Sequence, residues 1–456
     1  MTFAGKAVIV KKSVNHALFL TCGRSSSCRT AAAQCERGIF LDLFDKCYDF
    51  KLVDDCKAKG LYPYFHEITS RQHSEVQMDG HRTIMLGSNN YLGLTSDDRV
   101  IAAAQQAAGQ FGSGCSGSRF LNGTLSLHTQ LERELAQFFG KEAVMTFPSG
   151  FQTNLGILSS IVGRHDVMFF DRTNHASLID GARLSFGKLL KYDHNNMDQL
   201  EELLAKCPEN RGKLIVVDGV FSMEGDLADL PNITRLAEKY HARVMVDDSH
   251  GIGTLGKHGR GVGEYFGLED KIDILMGTFS KSFASLGGFF ASREKVIDFA
   301  RHTSRPFIFA ASMPAANVAA VREALHILQQ EPERVVRVQE NAEYMRQGFC
   351  RLRIPHGDST APIIPVNTYD DDRTFLITRA LLDHGVFVNP VVSPAVAKGQ
   401  SILRTSYTAT QTKDQLDYAL EQFDLVFNRL YPISDEEVAA LQNAPAAAEP
   451  EDNPYL

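Results

Sequence analysis

The 456 residues exceed one ordinary domain and point to two or three folding units, or to a large α/β unit with a smaller one attached. With 44% hydrophobic and 22% charged residues the composition is that of a soluble globular protein, which excludes a disordered or fibrous chain, and no run of 18 apolar residues offers a transmembrane helix. A net charge of −8 without a Lys/Arg stripe argues against a nucleic-acid binder.

The charge is uneven. Residues 1–35 carry Lys6, Lys11, Lys12, Arg24 and Arg29 and no acid. From Asp435 onward there are six acids and no base, which leaves −7 on residues 36–434. The basic, Ser- and Ala-rich start reads as a transit peptide, an upstream extension from a misplaced start codon, or a tail. Eight cysteines are too few for a disulfide scaffold. Five of them (Cys22, Cys28, Cys35, Cys47, Cys56) precede residue 57 without forming a CxxC pair, so free thiols are expected and no metal.

Taken in chain order, Leu41, Phe44, Tyr48 and Leu52 recur at helical spacing and predict an N-terminal amphipathic helix. Strands follow at Thr83–Leu86, Ala143–Phe147, Val167–Phe170, Leu214–Asp218, Arg243–Asp247, Ile272–Met276 and Gly288–Ala291, with helical patterns between many of them. Runs such as Leu214–Val217 are apolar on both faces. That pattern predicts a mostly parallel sheet covered on both sides by helices. After residue 330, helices at Glu331–Cys350, Arg373–His384 and Lys413–Leu430 alternate with strands at Ile363–Asn367, Val386–Asn389 and Ile402–Ser406, which reads as a smaller α+β domain. The last residues are low-complexity and expected to be disordered.

Two stretches match GxGxxG, Gly112–Gly117 and Gly251–Gly256. The first follows a helical pattern and the second runs into a loop, so neither meets the strand–turn–helix requirement of a dinucleotide site. Asp247 and Asp248 end a buried strand. Adjacent strand carboxylates point to opposite faces, which disfavours a metal pair. Asp247 reads either as a cap or as a partner for a cationic ring nitrogen at the sheet's carboxyl edge. Lys281, among small hydroxyl residues after another strand, reads either as a solvated lysine or as a desolvated amine suited to Schiff-base chemistry. Ser149-Gly150-Phe151 opens a helix, as an N-cap, a phosphate cradle, or both.

Taken together these segments resemble the α-oxoamine synthases, pyridoxal-phosphate (PLP) enzymes of the aspartate-aminotransferase fold type (fold type I). The likeness rests on Ser88-Asn-Asn-Tyr-Leu-Gly93, Gly112–Arg119, His128, Pro148–Asn154, Asn174–Ser177, Asp218–Gly225, Val246–Gly251 and Thr278–Lys281, in order from about residue 45 to 430. Tyr62–Phe65, Ser118–Thr124, Lys188–Met197 and Phe307–Ser312 bring the chain nearest to the soluble bacterial members that join L-serine to a long-chain acyl-CoA. The resemblance implies PLP as cofactor, with Lys281 carrying it and later moving the Cα proton. It implies Asp247 on the pyridinium nitrogen, His175 stacked on the ring, and Ser222 and His250 near the phenolic oxygen. It gives Gly150, Phe151, Thr278 and Ser280 to the phosphate, with Ser312 reaching in from the other copy of a homodimer. Asn90 would lie near the substrate and Arg404 would bind the amino-acid carboxylate.

The implied layout is an N-terminal extension (1–40), an N-terminal segment (41–85), a PLP-binding large domain (86–330), a C-terminal small domain (331–432) and an acidic tail (433–456). A cytoplasmic enzyme with at most peripheral membrane contact is expected. Two other readings remain at this stage. One is a relative that condenses glycine with acetyl-CoA, as glycine C-acetyltransferase does. The other is a non-catalytic partner subunit, disfavoured because Lys281, Asp247 and His175 are all present.

Overall fold

The computed structural model describes residues 42–442. The basic start with Cys22, Cys28 and Cys35, Leu41, and the residues after 442 lie outside the described residues. The chain divides into two units, Met1–Gly60 and Leu61–Leu456.

Within the first unit, the single N-terminal helix expected from Leu41, Phe44, Tyr48 and Leu52 is instead two short ones, Asp45–Tyr48 and Leu52–Ala58. Phe44 and Tyr48 are exposed. Pieces of four and seven residues lack the length that makes a helix self-sustaining, and the first of them buries none of its residues.

Among the described residues the second unit has thirteen strands: β1 Glu75–Met78, β2 His81–Met85, β3 Ala143–Phe147, β4 Asp166–Asp171, β5 Lys188–Tyr192, β6 Gly212–Asp218, β7 Arg243–Asp247, β8 Ile274–Thr278, β9 Gly288–Ser292, β10 Ile363–Tyr369, β11 Val386–Phe387, β12 Asn389–Val391 and β13 Ser401–Ser406. Seven form one sheet in the order β3-β9-β8-β7-β6-β4-β5. The β4, β5, β6, β7 and β8 pairings are parallel, and β9 runs antiparallel to β3 and β8. Side chains alternate between two apolar clusters. Phe169, Ile215, Val217, Val244 and Val246 enter one, and Met168, Phe170, Leu214, Val216 and Met245 the other. Burial on both faces is what the unbroken apolar runs required. The fold is thus the α/β arrangement expected from the sequence, a mixed sheet with helices between its strands.

Two three-stranded sheets complete the unit, β1-β2-β11 and β10-β13-β12. The second packs its Ile364, Val366 and Leu403 against Phe349, Leu416 and Phe423. Residues 61–85 share a sheet with the C-terminal part, because β2 pairs with β11. The segment from 433, expected to be disordered, begins with a helix, Asp435–Gln442. Ser434 caps it: Glu437 N donates to Ser434 Oγ, and Ser434 N donates back to Glu437 Oε2.

Candidate active site

The carboxyl ends of β6, β7 and β8 lie side by side. Asp218 is in register with Asp247, and Asp247 with Met276. Ligands of open α/β sheets bind at this edge, and here it opens into a cavity of about 280 Å³. Nine of the expected site residues line it: Gly150, Phe151, His175, Ser222, Asp247, His250, Thr278, Ser280 and Lys281.

Asp247 is 4% exposed and held from both oxygens. Asn154 Nδ2 donates to Oδ2 at 2.7 Å, and Ser249 donates to Oδ1 through its hydroxyl and its backbone N–H. Asp248 turns away, as strand alternation requires. Its carboxylate accepts from Val262 N at 2.7 Å, and a Cβ at Gly251 or Gly261 would overlap it. Gly251 of the second GxGxxG match therefore makes room for a buried acid. Gly112 of the first match ends the helix Asp98–Phe111.

Lys281 sits in the turn after β8, closed by Phe279 N to Gly287 O and Ala284 N to Lys281 O. Its amine opens only partly, into the cavity. Burial pushes its pKa down to about 8, against the pull of Asp247. Ser149 caps the helix Gly150–Ile161 by accepting from Gln152 N at 3.1 Å. The N–H groups of Gly150 and Phe151 take no partner among the described residues. The Thr278 and Ser280 hydroxyls lie 2.9 Å apart. A Cβ at Gly150 would come within 2.6 Å of Thr278 Oγ1, so this close approach needs glycine.

His175 is the N-cap of Ala176–Leu184 and its Nδ1 accepts from Ser177 N. Its own N–H donates to Asp218 Oδ2 at 2.7 Å. His250 is buried, with Nδ1 2.7 Å from Tyr91 Oη. Burial, with the nearby Lys281 and Arg404 charges, holds its pKa well below the usual histidine range, so the ring is neutral.

Three expected residues lie outside the cavity lining. Arg404, 6% exposed on β13, donates through Nε to the Ser222 carbonyl and through Nη2 to Asn89 Oδ1. Asn90 accepts from Thr95 N through Oδ1 and is tied into its own turn. Ser312 donates to the Gly117 carbonyl at 3.1 Å, against the loop that carries the first GxGxxG match. The sequence reading missed Asn154, Ser249, Tyr91, Asn89 and Asp218 as site residues. All five were inside quoted motifs, but the partners of Asn154, Tyr91, Asn89 and Asp218 are distant in sequence.

A family model, Aminotransferase class I and II, matches residues 82–423. The chain belongs to this family. Among its class I and II relatives, the serine palmitoyltransferase of Sphingobacterium spiritivorum is 49% identical over 387 residues, 85% of this chain and 97% of that one. The 8-amino-7-oxononanoate synthase of Thermosipho melanesiensis is 42% identical over 388 residues, 85% of this chain and 99% of that one. A solved structure of a serine palmitoyltransferase variant from S. paucimobilis, with bound PLP and myriocin, superposes with a TM-score of 0.82 at 34% identity, covering 85% of this chain and 98% of that one. The α-oxoamine synthase resemblance read from the sequence is borne out by these relatives. Among the described residues no helix is long and apolar enough to cross a membrane.

Proposed function

We propose that this protein binds PLP in the cavity and condenses L-serine with a long-chain acyl-CoA, palmitoyl-CoA above all. The products are 3-ketodihydrosphingosine, CoA and CO2, the first step of sphingolipid biosynthesis. The observation that carries this reading is the convergence of a desolvated lysine amine, a braced carboxylate and an open helix N-terminus in one cavity. These residues fit the cofactor: an amine for its aldehyde, an acid for its ring nitrogen, and unpaired N–H groups beside two hydroxyls for its phosphate.

When bound, PLP supplies an aldehyde for the amine and an electron-poor ring that stabilises negative charge on the adjacent carbon. The protein's residues then have these parts. Lys281 would anchor the cofactor and take the serine Cα proton; a pKa near 8 leaves about a tenth of the amine unprotonated at pH 7, far more than in an ordinary lysine. Asp247, fixed by Asn154 and Ser249, keeps the ring nitrogen protonated. His175 would cover one ring face, Ser222 and neutral His250 would lie by the phenolic oxygen, and Gly150, Phe151, Thr278 and Ser280 would hold the phosphate. Arg404 binds the serine carboxylate by a bidentate contact, with Asn90 near the substrate. Ser312 reaches the phosphate of a neighbouring copy, so the working unit is a homodimer in the cytoplasm.

The test is cofactor retention. Purified protein incubated with PLP should keep its visible absorption through gel filtration and lose it in Lys281→Ala. Well-folded wild-type protein that never retains PLP contradicts the proposal.

A further inference from the structure

Two loops present groups at the cavity. The first runs from Asp171, at the end of β4, to His175. The second runs from Gly219 to Ala228. It carries Ser222, which lines the cavity and whose carbonyl accepts from Arg404 Nε. The second loop is drawn into a tight turn by backbone bonds from Phe221 N to Asp226 O and from Gly225 N to Phe221 O. Its far side leans on the segment before β10. Thr360 N and Ala361 N donate to Gly225 O, and a Cβ on Gly225, which has φ +71°, would meet Ile363 O at 2.5 Å.

One side chain joins the two loops. His194 lies between β5 and the helix Met197–Lys206. Its Nδ1 is 3.1 Å from Asp171 Oδ1, and its Nε2 is 2.8 Å from Asp226 Oδ2. The ring stands edge-on to Phe221 of the second loop, with centroids 4.4 Å apart. Thr173 Oγ1 lies 2.8 Å from the same Nδ1, and Asn195 donates to both carboxylates, through N to Asp171 Oδ2 and through Nδ2 to Asp226 Oδ2. A histidine that meets a carboxylate at each nitrogen donates from both and is an imidazolium. Burial alone would lower its pKa, but the bonds to Asp171 and Asp226 outweigh that and push it up to about 10. Asp171 is fully buried, and Asp226 Oδ1 is buried without a partner. Both acids therefore lean on this one cation.

We infer that His194 is a positioning residue, a charged clamp that locks the loop presenting His175 to the loop whose Ser222 carbonyl aims Arg404. Neither His194 nor Asp226 lines the cavity that holds Lys281. It acts on the serine carboxylate through Ser222 and Arg404, so the inference rests on the reading of Arg404 given above. The contacts of His194 lead through Asp226 to the loop of Ser222 and so to Arg404, which is why its removal should split the two substrates.

The experiment pairs His194→Ala with Asp226→Ala. Titrating L-serine into PLP-loaded protein and following the cofactor absorption, each variant should weaken serine binding about tenfold, the scale of a misplaced anchor. The KM for palmitoyl-CoA should stay within about twofold of wild type. The double variant should weaken serine binding no further than either single one, because both remove the same clamp. In cofactor-free protein, amide exchange should speed up in residues 172–176 and 220–227 together. A folded His194→Ala protein with wild-type serine affinity overturns the inference, as do equal rises for both substrates or faster exchange in one loop only. Should His194→Ala fail to fold, Asp226→Ala decides by the same criteria. If wild type binds PLP but not serine, the functional reading fails, while the exchange data still decide whether the clamp exists.

Discussion

In the cofactor-free protein Lys281 is held in an environment that disfavours its charge, so replacing it should stabilise the fold. Its pKa falls from an ordinary 10.5 to about 8. The native state thus holds fewer protons than the unfolded chain between pH 8 and 10.5, and stability rises with pH in that window. Below pH 8 the full penalty is present, about 3 kcal/mol. Lys281→Met keeps the length of the side chain and removes the charge. At pH 7 the variant should be more stable than wild type by about 2–3 kcal/mol, the lower figure allowing for the partial opening of the amine to the cavity. Toward pH 10.5 the difference should vanish. Urea unfolding of both cofactor-free proteins at a series of pH values reads this directly, since other titrations cancel between them. A variant no more stable than wild type at pH 7, or a gap that does not shrink as pH rises, refutes the reasoning.

Further outcomes follow from the same contacts. Asn154→Ala removes the 2.7 Å bond to Asp247 Oδ2 and should weaken PLP binding, measured by equilibrium dialysis, by about 1.5–3 kcal/mol. Gly150→Ala places a Cβ within 2.6 Å of Thr278 Oγ1 and should lower PLP affinity about tenfold, while borohydride still fixes the PLP that does bind to Lys281. Arg404→Ala should raise the serine KM about a hundredfold and leave the palmitoyl-CoA KM near wild type, as steady-state kinetics will show.

The central strands were legible because burial on both faces leaves an apolar run that nothing else explains. β3 and β7 fall on the expected residues. β8 begins two residues later than expected, at Ile274, because Asp273 belongs to the turn and accepts from Val244 N. It then continues through Gly277 and Thr278, which pair with Phe289 and Gly288 and carry no apolar signal. The edge strand β5 escaped because it pairs on one side only and exposes Lys188 and Lys191. The N-terminal helix failed for the opposite reason, since Phe44 and Tyr48 share its periodicity yet stay exposed. A Ser434-x-x-Glu437 capping box marked the helix after residue 434, inside a segment set aside on composition.

The cavity lining was legible where residues sit at strand ends and helix starts, as with Asp247, Lys281 and Gly150. The groups that brace those residues were not. Tyr91 meets His250 across 159 residues of sequence, and Asn154 meets Asp247 across 93. Such contacts exist only once the sheet has brought the loops together.

The account stands on one reaction. Purified, PLP-loaded protein should convert L-serine and palmitoyl-CoA into 3-ketodihydrosphingosine, identified by mass spectrometry, with one CoA and one CO2 released per product. Lys281→Ala should form none. Preferential turnover of glycine with acetyl-CoA, or no condensation by a protein that binds PLP and serine, contradicts the account.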